Sequence, residues 1–320
     1  MTTYIIRRLI LGIFILIIVT LIVFFAMRLL PGDPLVIFMG QQASSGSMSA
    51  EQMESLRHEY GLDKPVMMQY FNWLGGLLRG NLGTSIYYHE DVGKLLANRF
   101  PITLHLGVLA FIIANVLGIL LGLLAGIRRG TWIDTVSTTL ANIGITIPVF
   151  WLGILMIYTL GLKLRWIIPF LGYTSPFDDF GMNTKQIIMP VICLAITGLA
   201  FTARQMRSAM LEVIRQDYIR TAWSKGLKER VIIIRHALKN SLIPVITLMG
   251  IGLGMVFGGA VLVETVFAIP GIGRLLVTSI FAQDYVVIQS GTLVIAFIII
   301  LSNLLVDISY GWLDPRIRYG

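Results

Sequence analysis

Residues 102–127 read ITLHLGVLAFIIANVLGILLGLLAGI, a run of 26 residues without lysine, arginine, aspartate or glutamate. A helix rises about 1.5 Å per residue, so roughly 20 residues cross a hydrocarbon core. This run is long enough. Its apolar residues do not alternate with polar ones, so it is not a barrel strand, and only a helix satisfies its own backbone in lipid. Gly118, Gly122 and Gly126 recur every four residues and share one helix face. Such a face allows two backbones to approach closely. It reads either as tight packing or as a pore-lining or sliding surface.

Five more apolar runs lie at 9–27, 136–162, 187–203, 242–263 and 286–306; the one at 187–203 is short and contains Pro190. The whole chain is 56% hydrophobic and 13% charged, with mean hydropathy +0.81. A soluble protein carries about 25% charged residues. The expectation is an all-α polytopic membrane protein with six transmembrane helices. The fifth run repeats the glycine spacing at Gly250, Gly254 and Gly258. Arg7 and Arg8 precede the first run, but no small-residue cleavage pattern follows it. It reads as a retained anchor rather than a signal peptide, with Arg28 expected to snorkel to the outer interface.

Basic residues set the orientation. With a cytoplasmic N-terminus, cytoplasmic segments hold fifteen of the 25 basic residues against five acids. The formal charge of +8 is then a one-sided excess that reports topology, not nucleic-acid binding. Both termini are expected in the cytoplasm. The expected organisation is an N-terminal helix and extracytoplasmic segment over 1–100, a transmembrane domain over 101–310 and a cytoplasmic tail over 311–320.

Within the external segment, 41–50 is rich in serine and glycine. Ser49 and Gln52 fit a capping box for a helix carrying Met53, Leu56 and Tyr60 and ending at Gly61. Pro65 suits the start of a second short helix with Val66, Tyr70, Trp73, Leu74 and Leu77 on its apolar side. Cys193 is the one cysteine, so neither a disulfide framework nor a thiol metal cluster is expected.

The segment 207–240 is the most informative. Tyr218, Ile219, Ala222 and Trp223 are expected on one side of a short helix among Arg215, Asp217, Arg220 and Lys225, with Gly226 as a left-handed cap. Such a helix either lies on the membrane surface or inserts into a groove of another protein.

The run Asp217-Tyr218-Ile219-Arg220-Thr221-Ala222-Trp223-Ser224-Lys225-Gly226-Leu227, with Arg235-His236-Ala237-Leu238-Lys239-Asn240 after it, resembles the EAA loop of ABC importer permeases. It is similar to the version in dipeptide, oligopeptide and nickel permeases, in the first member of the permease pair. The general motif begins Glu-Ala-Ala where this chain has Arg220-Thr221-Ala222, and Trp223 and Ser224 depart from the usual residues. Leu30-Pro31-Gly32-Asp33-Pro34, Tyr60-Gly61-Leu62-Asp63-Lys64-Pro65 and Gly80-Asn81-Leu82-Gly83-Thr84-Ser85 match the family's external region. Glu264-Thr265-Val266-Phe267-Ala268-Ile269-Pro270-Gly271 matches the loop after its fifth span, with Ile269 where tryptophan is frequent. Asp284-Tyr285, Val306-Asp307 and Asp314-Pro315-Arg316-Ile317 match its C-terminal end, with Val286 where proline is frequent.

The resemblance implies a type I ABC importer transmembrane domain and an alternating-access pore for di- or oligopeptides. Its partners would be a paralogous second permease, two ABC ATPases and an extracytoplasmic solute-binding protein. Asp217, Tyr218, Arg220, Thr221, Ala222, Trp223, Gly226 and Leu227 would form the coupling helix. The gate or pore candidates are Glu264, Phe267, Pro270, Gly254 and Gly258. The chain lacks a Gly-x-x-x-x-Gly-Lys-Ser/Thr loop, so ATP and Mg would be bound by the partner ATPases, and this subunit itself would need no cofactor and be no enzyme.

Glu264 reads either as gate structure or as a substrate contact, and Asp307 with Asn303 as a structural hydrogen-bonding pair. His105 and Asn115 are candidates for hydrogen bonds between helices. His58, His89 and His236 are scattered without metal-ligand spacing. The same machine carrying nickel or a metal–chelator complex is the nearest alternative. An intramembrane enzyme, which needs a nucleophile and base facing each other, is the distant one.

Overall fold

The computed structural model describes residues 2–29, 50–165 and 172–313. The motif at 30–34, Ser49 of the expected capping box and the tail from Asp314 lie outside the described residues, as do the side chains of Gln52, Met53 and Asp307. The described residues are almost wholly helical. In chain order the helices are α1 Thr2–Leu29, α2 Ala50–Glu59, α3 Val66–Leu78, α4 Val92–Ile127, α5 Trp132–Thr146, α6 Val149–Met156, α7 Phe180–Val213, α8 Asp217–Ser224, α9 Lys239–Val266, α10 Ile272–Phe281 and α11 Tyr285–Leu313. π-helical turns Ile157–Lys163 and Ile232–Leu238 extend α6 and precede α9.

Among the described residues, five stretches are long and apolar enough to cross a membrane, and α5 with the helical stretch after it makes a sixth if counted as one broken span. The expected third span over 136–162 is not straight. It bends by 103° between Thr146 and Val149. Pro148 supplies no backbone N–H, and its ring pushes the preceding Ile147 into extended backbone at φ −74°, ψ 124°. The helix stops there and restarts. The second span also begins earlier than its apolar run, because α4 continues backwards through Pro101 to Val92.

The chain forms two compact units. One comprises Met1–Arg8, Thr103–Ile269 and Ile299–Gly320, the other Leu9–Ile102 and Pro270–Ile298. In the first, α7 packs along α5 and α9. Gly118, Gly122 and Gly126 of α4 meet Thr202, Met206 and Met210 of α7 at distances a β-carbon would make too short. That is the packing reading of the glycine face. A Cβ at Gly258 of α9 would meet nothing within 4 Å, and one at Gly254 would touch only Ile299.

The second unit holds the two short helices. The expected stop of α2 and the expected start of α3 are seen there: Gly61 takes φ +65° after α2, and Pro65 immediately precedes α3. Tyr70 of α3 packs edge-on against Phe24 of α1, and its hydroxyl lies 3.1 Å from Thr20 Oγ1. Asp284 caps α11 by accepting from Val287 N, while its other oxygen accepts from Ser85 Oγ and Tyr87 N. This ties the Gly80–Ser85 motif to the start of α11.

Candidate functional site

The segment between α7 and α9 is built from its buried side outward. Ile219 and Ala222 are 1% and 6% exposed, and they pack with Met206, Met210, Ile232, Ala237 and Val245. Tyr218 and Trp223 are 43% and 49% exposed. The expected cluster of four is thus divided. The residues at 219 and 222 seat α8 on its own bundle, and those at 218 and 223 flank that seat on either side and stay half-exposed. Leu227 is exposed beside them.

Local hydrogen bonds fix the helix ends. Gly226 N donates to Trp223 O at 2.9 Å, and Leu227 N to Ala222 O at 3.4 Å. This paired closure requires a left-handed residue at its corner, and Gly226 takes φ +73° with open space around its α-carbon. Thr221 Oγ1 donates to Asp217 O, and Asp217 and Arg220 form an exposed ion pair at 3.5 Å. Asn240 Nδ2 donates to Tyr218 Oη at 2.8 Å, linking α8 to the first turn of α9.

The bundle beside this segment carries an ion pair that sequence reasoning did not join. Arg207 of α7 donates through Nε to Asp134 Oδ1 at 2.5 Å and through Nη2 to Oδ2 at 3.0 Å. Gly130 N also donates to that carboxylate. Opposite charge on two amphipathic helix ends was the available signal, but 73 residues separate the partners.

Deeper in the same unit lies a cavity of about 230 Å³ lined by α4, α7 and α9, among them Asn115, Thr202, Phe201 and Leu248. Thr202 Oγ1 donates to Asn115 Oδ1 at 3.0 Å, so Asn115 does bridge two helices. His105 instead lies 2.8 Å from the Tyr173 hydroxyl, in the loop before α7.

Glu264 is fully buried, and Thr103 Oγ1 donates to its Oε1 at 2.6 Å. Phe267 is buried against Gly153 of α6. The turn after α9 repeats the closure seen after α8. Ala268 N donates to Thr265 O and Ile269 N to Glu264 O, with Ala268 at φ +54° where glycine is usual. Pro270 is half-buried in the connection to α10.

Residues 118–319 match the family model described as binding-protein-dependent transport system inner membrane component, and 1–107 match its N-terminal companion. The chain is 40% identical over 320 residues, and the full length of both proteins, to a putative peptide transport system permease protein of Brucella abortus (strain 2308). It is also 40% identical, over 94% of each chain, to the di/tripeptide transport system permease protein DppB of Pseudomonas aeruginosa (strain UCBPP-PA14). Among solved structures, an inward-facing MetNI methionine ABC transporter is similar in fold at TM-score 0.54 and 18% identity, covering 69% of this chain and 96% of that one. The architecture is that of a type I ABC importer membrane domain. The chain belongs to the inner-membrane component family of binding-protein-dependent transport systems, as a multi-pass permease subunit rather than an enzyme.

Proposed function

We propose that this permease forms half of an ATP-driven pore for di- and oligopeptides and is coupled to its ATPases through α8. The observation that carries the cargo is full-length similarity, at 40% identity, to proteins named for peptide transport. The other half of the pore is a paralogous permease. Two ABC ATPases bind ATP and Mg on the cytoplasmic side, and an external solute-binding protein delivers the peptide. Both termini and α8 face the cytoplasm, in keeping with the basic residues around α8.

Coupling rests on the divided helix. Ile219 and Ala222 fasten α8 to the bundle, so a push on the exposed side of Tyr218, Trp223 and Leu227 moves α7 and α9 rather than α8 alone. ATP-driven closure of the ATPase pair opens the permease halves outward, and hydrolysis lets them return. Glu264, Phe267, Pro270 and the open glycines Gly254 and Gly258 are the gate and pore candidates. Glu264, buried against Thr103, acts as gate structure in this conformation.

The cargo is tested by purifying the cognate binding protein and identifying its bound ligand by mass spectrometry. Peptides of a few residues are expected. A nickel ion or metal–chelator complex, with no peptide, would overturn the peptide assignment.

A further inference from the structure

The second compact unit contains a cavity of about 320 Å³ beside the last turn of α1. Three buried nitrogens in its wall have no hydrogen-bond partner among the described residues: Arg28 Nη1, Trp73 Nε1 and Gln289 Nε2. Gln289 is only 3% exposed. All three are donors, and a guanidinium has no accepting capacity at all.

Arg28 is packed among aromatic rings at the end of α1. Its guanidinium lies 3.9 Å from the Phe24 ring centroid and 5.3 Å from that of Tyr285. Nη2 donates to Gln69 Oε1 at 2.7 Å. Gln69 is itself oriented, because its amide nitrogen donates to the carbonyls of Leu62 and Lys64. The cation is therefore held in place by a built arrangement. Yet none of the described residues lining the cavity is acidic, and among the described residues no carboxylate pairs with Arg28. A desolvated cation and buried orphan donors are both unfavourable unless an acceptor is supplied.

We propose that this cavity binds a phosphate oxyanion whose oxygens accept from Arg28, Trp73 and Gln289. Arg28 stands in the final turn of a membrane-crossing helix, the depth at which lipid phosphates lie. A phospholipid headgroup and free inorganic phosphate offer the same chemistry. The site is independent of the transported cargo.

The test uses the assembled permease complex in neutral detergent and follows its thermal unfolding midpoint. One arm titrates sodium phosphate against sodium chloride at constant ionic strength. The other titrates phosphatidylglycerol against a phosphate-free diacylglycerol glycolipid in mixed micelles. A ligand of the native state raises the midpoint once its concentration passes Kd. A rise in the phosphate arm identifies the free ion, and a rise in the phosphatidylglycerol arm alone identifies the headgroup. Trp73→Phe keeps the ring and removes one donor. It should raise the half-saturating concentration about tenfold or more, as expected for a hydrogen bond to a charged group. Its midpoint without ligand should not fall, because the orphan donor is gone. Arg28→Gln should abolish the response. If neither arm moves the wild-type midpoint, or if both variants respond as wild type does, the cavity holds water only and the proposal fails. Should Arg28→Gln not fold, Trp73→Phe decides alone.

Discussion

Asp134 is 6% exposed, and two nitrogens of Arg207 hold its carboxylate. Removing one partner of such a pair leaves an uncompensated charge, which costs about 3–5 kcal/mol when the pair is buried. The Arg207 side chain keeps 28% exposure, so Arg207→Met should destabilise the purified subunit by about 3 kcal/mol, near the lower end. Adding Asp134→Asn should restore more than half of that loss, measured by denaturant unfolding in detergent. A loss below about 0.5 kcal/mol would mean the pair is screened like a surface ion pair. Neither residue advertises this partnership in sequence, because charge names a candidate but not its mate. Gly226 is the opposite case. Its left-handed backbone was legible, since a short polar helix followed by glycine carries its own local geometry. The division of Tyr218 and Trp223 from Ile219 and Ala222 was not legible. All four fall within one broad arc, and only the packing of α7 and α9 determines how much of its two edges stays exposed.

Among the elements, α4 and α9 carry the same glycine spacing in different surroundings. A Cβ at Gly122 would come within 2.6 Å of Met206 Cβ, whereas one at Gly258 would meet nothing within 4 Å. Overpacking costs roughly 1–3 kcal/mol. Gly122→Ala should destabilise the isolated subunit by about that amount. Gly258→Ala should leave it as stable or raise it by up to about 1 kcal/mol through helix propensity. Thermal unfolding of both variants decides this, and equal losses would refute the distinction. The glycine period is visible in sequence; the neighbour opposite each face is not. The bend between α5 and α6 had its signal in Ile147-Pro148, but a hydropathy run counts apolar residues and does not register direction. The backward extension of α4 was hidden similarly, since Lys94 and Arg99 end the apolar run without ending the helix.

For the whole molecule, long uncharged runs were enough to reveal a polytopic helical membrane protein, because lipid leaves helices and closed barrels as the only options. The orientation rests on the excess of basic residues in the segments assigned to the cytoplasm. In a Cys193→Ala background, cysteine at Glu51 should react with an impermeant maleimide in intact cells, and cysteine at Ser224 should not. Reaction at 224 from outside would reverse the orientation. The central claim is that α8 transmits ATPase motion to a peptide pore. The most direct measurement is ATP-dependent uptake of labelled peptide into proteoliposomes holding the full complex, with binding-protein-stimulated hydrolysis recorded alongside. Wild type should show both. Gly226→Val, strained by a β-branched residue at φ +73°, should insert normally yet lose uptake and stimulation together. Trp223→Ala should weaken ATPase retention about tenfold, as loss of a buried apolar contact predicts. Unchanged uptake and stimulated hydrolysis in both variants would contradict the account.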